Sequence, residues 1–360
     1  LLIALGIIFL ILSMSNVLAL NIWTAKTSMP TARGQAAVIA GDDGLIYVMG
    51  GCTVSQELTT VEAYDLSTNA WVTKASMPQA TRGAAVAKGL NGTIYVFGGT
   101  GPTGALNTVQ IYNPVTNTWT LGSSMPTRQW GAGAATGNDG KIYVIGGESD
   151  PDAVQIYNPF TNTWASGAPM PTGRLELGVI KGNDGLIYAI GGYSGVALST
   201  VEAYNPSTNT WVTKASMPAP RVWFGVTLGG KIYVIGGGNG SSYLTVNEEF
   251  VTDVDGKIYV IGGGTSYFNN GPPVFDTVFA YDPSTDTWTS ITSSMPTARR
   301  ELGVASIVPP PPPSPPFWTQ WWLWVIVIGI VIIIVLATVI LMKRKKPKPV
   351  IIAPPETKPV

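Results

Sequence analysis

The chain has 360 residues, of which 45% are hydrophobic and 12% charged, and its 21 basic and 21 acidic side chains give a formal net charge of zero. It contains no histidine and a single cysteine, Cys52. Histidine-ligated metal centres and Ser-His-Asp or Cys-His nucleophile systems therefore cannot be assembled, and an internal disulfide is excluded.

Residues 1–20 are an uncharged apolar run in which Ser13, Ser15 and Asn16 precede Val17-Leu18-Ala19. This fits a signal peptide cut after Ala19, with an uncleaved N-terminal anchor as the competing expectation.

From Asn21 to Val308 the chain repeats. An Ile-Tyr-Val-type strand closed by Gly-Gly occurs at Ile46–Gly51, Ile94–Gly99, Ile142–Gly147, Ile187–Gly192, Ile232–Gly237 and Ile258–Gly263, with spacings of 48, 48, 45, 45 and 26 residues. A period near 45–50 residues is the mark of propeller blades. Before each of the first five copies lies a short strand of small residues, such as Ala36–Ala40, joined by Asp-Gly, Asn-Gly or Gly-Gly. Those pairs favour two-residue hairpins, because both central residues of a type I′ turn need positive φ. After the glycines, a strand ends in tyrosine and a tryptophan follows seven residues later: Tyr64/Trp71, Tyr112/Trp119, Tyr157/Trp164, Tyr204/Trp211 and Tyr281/Trp288. The connectors are rich in Asn, Pro, Asp and Thr, which favour tight turns. Met-Pro and then arginine come next, as in Met77, Pro78 and Arg82.

One period thus predicts four antiparallel strands: an inner strand of low bulk, the Ile-Tyr-Val strand, the Tyr strand and an outer Trp strand. The pattern resembles the kelch repeat, marked by the double glycine and the spaced Tyr and Trp. The resemblance covers roughly Asn21 to Val308 and implies an all-β, kelch-type β-propeller. WD-repeat propellers are disfavoured, since no Trp-Asp ending or Gly-His opening is present. The repeated Gly, Tyr and Trp are expected to serve blade contacts, small residues at the axis and aromatics in the wedge between blades.

The fifth copy breaks the pattern. Phe250 stands where tyrosine is expected, and no Trp, Met-Pro or Arg follows it before Ile258. The chain also opens on an outer strand at Trp23 and closes on an inner one over Glu301–Val308. Terminal strands of kelch propellers usually share a blade, and here that blade is expected to lack its two middle strands. Six blades are favoured, one or two of them incomplete, with a strained seven-blade ring as the alternative.

Residues 309–317 form a proline-rich stalk, which as polyproline II would extend roughly 25 Å. Within residues 318–342, Leu323–Met342 is an uncharged run of transmembrane length. Trp318, Trp321, Trp322 and Trp324 stand at its start as an aromatic belt, and Lys343, Arg344, Lys345, Lys346 and Lys348 follow it. The positive-inside rule then places the tail, residues 343–360, in the cytoplasm and the propeller outside a single-pass cell membrane protein. Residues 21–308 carry 15 basic against 20 acidic side chains, a net charge of −5, which argues against nucleic acid as a partner. Asn91-Gly92-Thr93 and Asn239-Gly240-Ser241 are glycosylation-type sequons.

Catalysis is not expected and no cofactor is implied. The galactose-oxidase copper site of some kelch-type propellers needs histidine, and sialidase-type Ser-x-Asp boxes do not occur. Glu176 and Glu301 are the nearest to a paired-carboxylate set. The arginine ending each Met-Pro turn carries the functional reading: Arg33, Arg82, Arg128, Arg174, Arg221 and Arg299. In kelch domains that bind acidic peptides, arginines at a similar place line the pocket, so the resemblance implies a ring at one mouth of the channel. The structural alternative is that each arginine ties blades together through carbonyls or acids such as Glu62 and Glu202. Two residues further on stand Gln35, Ala84, Trp130, Glu176, Trp223 and Glu301, variable side chains on a constant frame, as recognition requires. The expected function is a non-catalytic binder of a protein, peptide or glycan, with Trp130, Trp223 and Glu176 joining the arginines. A glycan-acting enzyme and an architectural cell-surface component are the alternatives.

Overall fold

The computed structural model describes residues 23–229, 231–235, 247–251, 257–261, 278–282, 285–291 and 303–307. These form six four-stranded antiparallel sheets and one two-stranded hairpin. Sheets 1 to 4 are simple meanders. In sheet 2 the strands are Ala85–Lys88, Ile94–Phe97, Val109–Asn113 and Thr118–Leu121, and sheets 1, 3 and 4 repeat that order from Ala37–Ala40, Gly133–Thr136 and Gly178–Lys181. All four residues of Ile94–Phe97 are buried. A half-exposed strand would alternate; burial of both faces matches a β-branched and aromatic run held between neighbouring sheets.

Register follows the repeat. Ile46, Ile94, Ile142, Ile187 and Ile232 oppose Tyr64, Tyr112, Tyr157, Tyr204 and Tyr281, and each of these tyrosines opposes its tryptophan. The Tyr112 hydroxyl donates to Asn117 Oδ1 at 2.8 Å, the same oxygen accepts from the Ala75 amide of sheet 1's chain at 2.9 Å, and Trp119 Nε1 donates to the Ala75 carbonyl at 2.9 Å. Asn117 does this at φ 54°, a left-handed turn position that asparagine tolerates. Asn69, Asn162 and Asn209 repeat the arrangement, so each outer hairpin is stitched to the preceding sheet.

Sheets 5 and 6 correct the expectation of missing strands. Sheet 5 takes Gly225–Gly229 and Lys231–Ile235 from the fifth repeat but its other two strands, Val278–Asp282 and Thr287–Ile291, from after the sixth Gly-Gly. The short 26-residue spacing is thus a hairpin inserted within sheet 5, Asn247–Val251 with Lys257–Ile261, and it supplies the two middle strands of sheet 6. Gly303–Ile307 forms the inner strand of sheet 6 and Trp23–Lys26 its outer strand. Phe250 opposes Ile258 and Trp23, as Tyr64 opposes Ile46 and Trp71. An antiparallel ladder needs alternating direction and matching side chains, not a particular chain order. That is why a reversed hairpin can fill the place of a missing pair.

Inner strands touch in sequence, Ala37–Ala40 against Ala85–Lys88, through Gly133–Thr136, Gly178–Lys181, Gly225–Gly229 and Gly303–Ile307, which in turn lies against Ala37–Ala40. Bulk is excluded there: a Cβ on Gly133 would stand 2.4 Å from Val179 Cγ2. All six sheets belong to the unit Leu1–Val308, one of two into which the chain divides, the other being Pro309–Val360. Residues 1–20, 309–317, 318–342 and 343–360, together with Arg299, Glu301 and Asn239, lie outside the described residues. Among the described residues no helix is long and apolar enough to cross a membrane.

Candidate functional site at the mouth of the inner strands

The segment between each outer strand and the next inner strand turns on a buried methionine: Met29, Met77, Met125, Met170 or Met217. Four residues later the side chain is again buried. In sheets 1, 4 and 5 it is Arg33, Arg174 or Arg221, and in sheets 2 and 3 it is Thr81 or Gln129. Arg33 donates to Glu62 Oε2 at 2.7 Å and to the Thr60 carbonyl at 3.1 Å. Arg174 donates to Glu202 Oε2 at 2.7 Å and to the Thr172 and Ala189 carbonyls at 2.9 Å each. Burial pushes both guanidinium groups below the ordinary arginine value, and the paired glutamate opposes that shift. Thr31 and Thr172 hydroxyls occupy the second oxygen of Glu62 and Glu202.

The arginines therefore do not share one position. Arg82 falls five residues after its methionine and is partly exposed, with Nε 3.2 Å from Glu57 Oε1 and Nη1 3.1 Å from Gln35 Oε1. Arg128 falls three residues after Met125 and is exposed. Arg33 and Arg174 bond Glu62 and Glu202, the acids named in the structural alternative, but each glutamate lies in the sheet that its arginine leads into, so the pair pins the connecting turn to that sheet. The distinguishing signal was in the sequence: the interval from methionine is four residues for the buried Arg33, Arg174 and Arg221, five for Arg82 and three for Arg128.

Six residues after each methionine the backbone enters the left-handed region, at Gln35 (φ 54°), Gly83 (59°), Gly131 (68°), Glu176 (55°) and Trp223 (54°). In this conformation the amide and carbonyl point along the circumference. Gly83 N–H donates to the Gln35 carbonyl at 2.9 Å, Gly131 N–H to that of Gly83 at 3.1 Å, and Glu176 N–H to that of Gly131 at 2.6 Å. A collar of peptide hydrogen bonds thus joins four successive sheets. Glycine is the unstrained choice at such a position, and each other residue costs roughly 1–2 kcal/mol. Gln35, Glu176 and Trp223 stand there nonetheless.

Their side chains and that of Trp130 line one hollow of about 140 Å³ above the inner strands, with Phe224 and small residues completing it. Trp130 precedes the collar residue Gly131 by one and reaches the hollow by lying across Gly83, whose added Cβ would come within 2.4 Å of the indole nitrogen. Ala84, one residue beyond the collar, also borders it. Phe224 was not singled out from the sequence; it stands seven residues after Met217, where Ala36, Ala84, Ala132 and Leu177 of the other sheets also border the hollow. Of the predicted residues, the structure brings together Trp130, Glu176 and Trp223; Arg33, Arg174 and Arg221 are buried and do not border the hollow, and Arg82 bonds the lining residue Gln35. Further along the inner strands a second cavity of about 540 Å³ is bordered by Val38, Val86, Val179 and the stems of Lys88 and Lys181. Lys88 pairs with Asp42, and Lys181 donates to Asn138 Oδ1 at 2.8 Å.

A family model for the KLHDC2/KLHL20/DRC7 Kelch-repeats domain matches residues 9–169, and one for the Kelch motif matches residues 183–218 and 254–295. No curated protein matches the chain.

Proposed function

From the kelch repeats that this chain carries, we propose that it is a closed six-bladed propeller that binds a protein partner at the hollow formed by Gln35, Trp130, Glu176 and Trp223, and catalyses nothing. Kelch-repeat domains are typically non-catalytic scaffolds for protein interaction. The observation that carries the reading is the collar: the frame is repeated, yet the side chains it presents differ from sheet to sheet, and three of them are held at positive φ. Backbone strain retained where glycine would remove it is a mark of functional positions. The cyclic contact of inner strands and the bond from Trp71 Nε1 to the Thr27 carbonyl, 2.8 Å, support closure.

The test is Trp223→Gly in the full chain, assayed on a peptide array. Glycine accepts the left-handed backbone, which offsets part of the lost indole contacts, so the chain is expected to stay folded while binding is lost. A variant that binds unchanged would turn the reading toward an architectural role.

The proposal extends to a membrane tether. Leu323–Met342 is long enough to span a bilayer and is followed by five cationic side chains within six residues. An epitope appended after Val360 is expected to be inaccessible on intact cells. Labelling of that epitope from outside would reverse the orientation.

A further inference from the structure

We propose that the larger cavity, between the far ends of the inner strands, is a second binding site, one for a small organic monoanion with an apolar body such as an aryl carboxylate. It is separate from the mouth and does not depend on the binding function proposed there. Its volume of about 540 Å³ falls within the roughly 300–1,000 Å³ of pockets that enclose a small ligand. Val38, Val86, Val179 and Val226 give it an apolar wall drawn from four sheets. Such sites combine an apolar lining with a few convergent polar groups that fix orientation.

The charge on the lining has one sign. Among the described residues the cavity is bordered by two charged side chains, Lys88 and Lys181, and by no carboxylate. Both stand at one register position, the residue paired with the repeated isoleucine, which is Ala40, Lys88, Thr136, Lys181, Leu228 and Ser306 in sheets 1 to 6. The frame thus sets two cations on alternate sheets with Thr136 between them. The inner strand of sheet 6, Gly303–Ile307, contains no charged residue that could cancel them.

The partners of the two lysines leave room for an anion. Lys181 Nζ donates to Asn138 Oδ1 at 2.8 Å, a neutral acceptor that leaves the ammonium charge uncancelled. Lys88 pairs with Asp42, whose side chain is 62% exposed, and an ion pair so open to water is weak and yields to a competing anion. The Lys88 side chain is 30% exposed, so attraction to a bound carboxylate is screened less than in bulk water. Residues 21–308 carry a net charge of −5, which repels a polyanion more than a monoanion and so favours a carboxylate over a phosphate-rich ligand.

The experiment uses the full chain in nanodiscs of zwitterionic lipid, with empty nanodiscs as the blank, and calorimetric titration of three probes with one skeleton: 4-phenylbutyrate, 4-phenylbutanamide and 4-phenylbutylammonium. The carboxylate is expected to bind at least about tenfold more tightly than the amide, as a charge-assisted hydrogen bond implies, and the ammonium more weakly than the amide. Lys181→Met should bring the carboxylate down to the affinity of the amide, whereas Lys181→Arg, which keeps the charge, should retain the preference. Both variants are expected to melt with the parent chain, because the lysine reaches an exposed turn residue. Lys88→Met should lower the preference in the same direction and guards against a folding defect at Lys181. Equal affinities for carboxylate and amide overturn the anion site, as does a preference that survives both Lys181→Met and Lys88→Met. Absence of binding by every probe overturns the cavity as a ligand site. Trp223→Gly should leave all three affinities unchanged; their loss would place the probes at the mouth and overturn the second site.

Discussion

Glu202→Ala is expected to destabilise the chain by about 3–5 kcal/mol, the cost of stranding a buried charge. Glu202 is 3% exposed at its side chain and its Oε2 lies 2.7 Å from Nη1 of the wholly buried Arg174. Arginine cannot shed its proton to escape the interior, since its ordinary value is above 12. The Thr172 and Ala189 carbonyls remain as acceptors in the variant, but they bear only partial charge. The Thr172 hydroxyl also loses its acceptor. Paired urea melts of native and variant chains with unchanged slope read the difference directly. The double variant Arg174→Met with Glu202→Leu is expected to recover most of the loss, because an apolar pair of similar volume is close to neutral where an ion pair was buried. A loss below about 1 kcal/mol, the range of exposed pairs, would show that water reaches the pair and that Arg174 faces the mouth after all.

Gly98→Ala should cost roughly 2–4 kcal/mol, the sum of a left-handed backbone penalty and the overfilling of a tight contact. Gly98 has φ +60°, and a Cβ there would stand 2.5 Å from the Gln129 carbonyl oxygen and 3.1 Å from that of Leu106. Neither oxygen can retreat freely. The Gln129 carbonyl accepts from Gly99 N–H at 2.8 Å and Leu106 is tied through its amide to the Gly99 carbonyl at 2.8 Å. Gly44→Ala is the matched control: φ is +79°, yet nothing lies within 4 Å of the added carbon, so only the backbone penalty of about 1–2 kcal/mol applies. Comparable losses at both sites would mean that neighbouring sheets do not approach closely at the double glycine.

Periodicity made the sheets legible. Four strands per repeat, the Tyr–Trp pairing and the small inner strands follow from local patterns, and the register found in sheets 1 to 4 is the one those spacings imply. The site was legible in part. Trp130, Glu176 and Trp223 were named because they vary on a constant frame, but the arginine set merged three positions, since taking whichever arginine ends each Met-Pro turn hides a one-residue slip. In a turn, that slip decides between a guanidinium buried against Glu202 and one left at the surface.

The sequence by itself determined the kind of sheet, the hairpins within a repeat and the exclusion of histidine-dependent chemistry, because each depends on a residue and its near neighbours along the chain. Only the tertiary structure decided that the shortened repeat is a hairpin completing sheet 6, that Arg33 and Arg174 are sealed by glutamates 29 and 28 residues away, and that residues from four successive sheets meet in one collar. Those outcomes rest on contacts between segments far apart in sequence. Burial and charge balance at such contacts are set by which strands lie side by side.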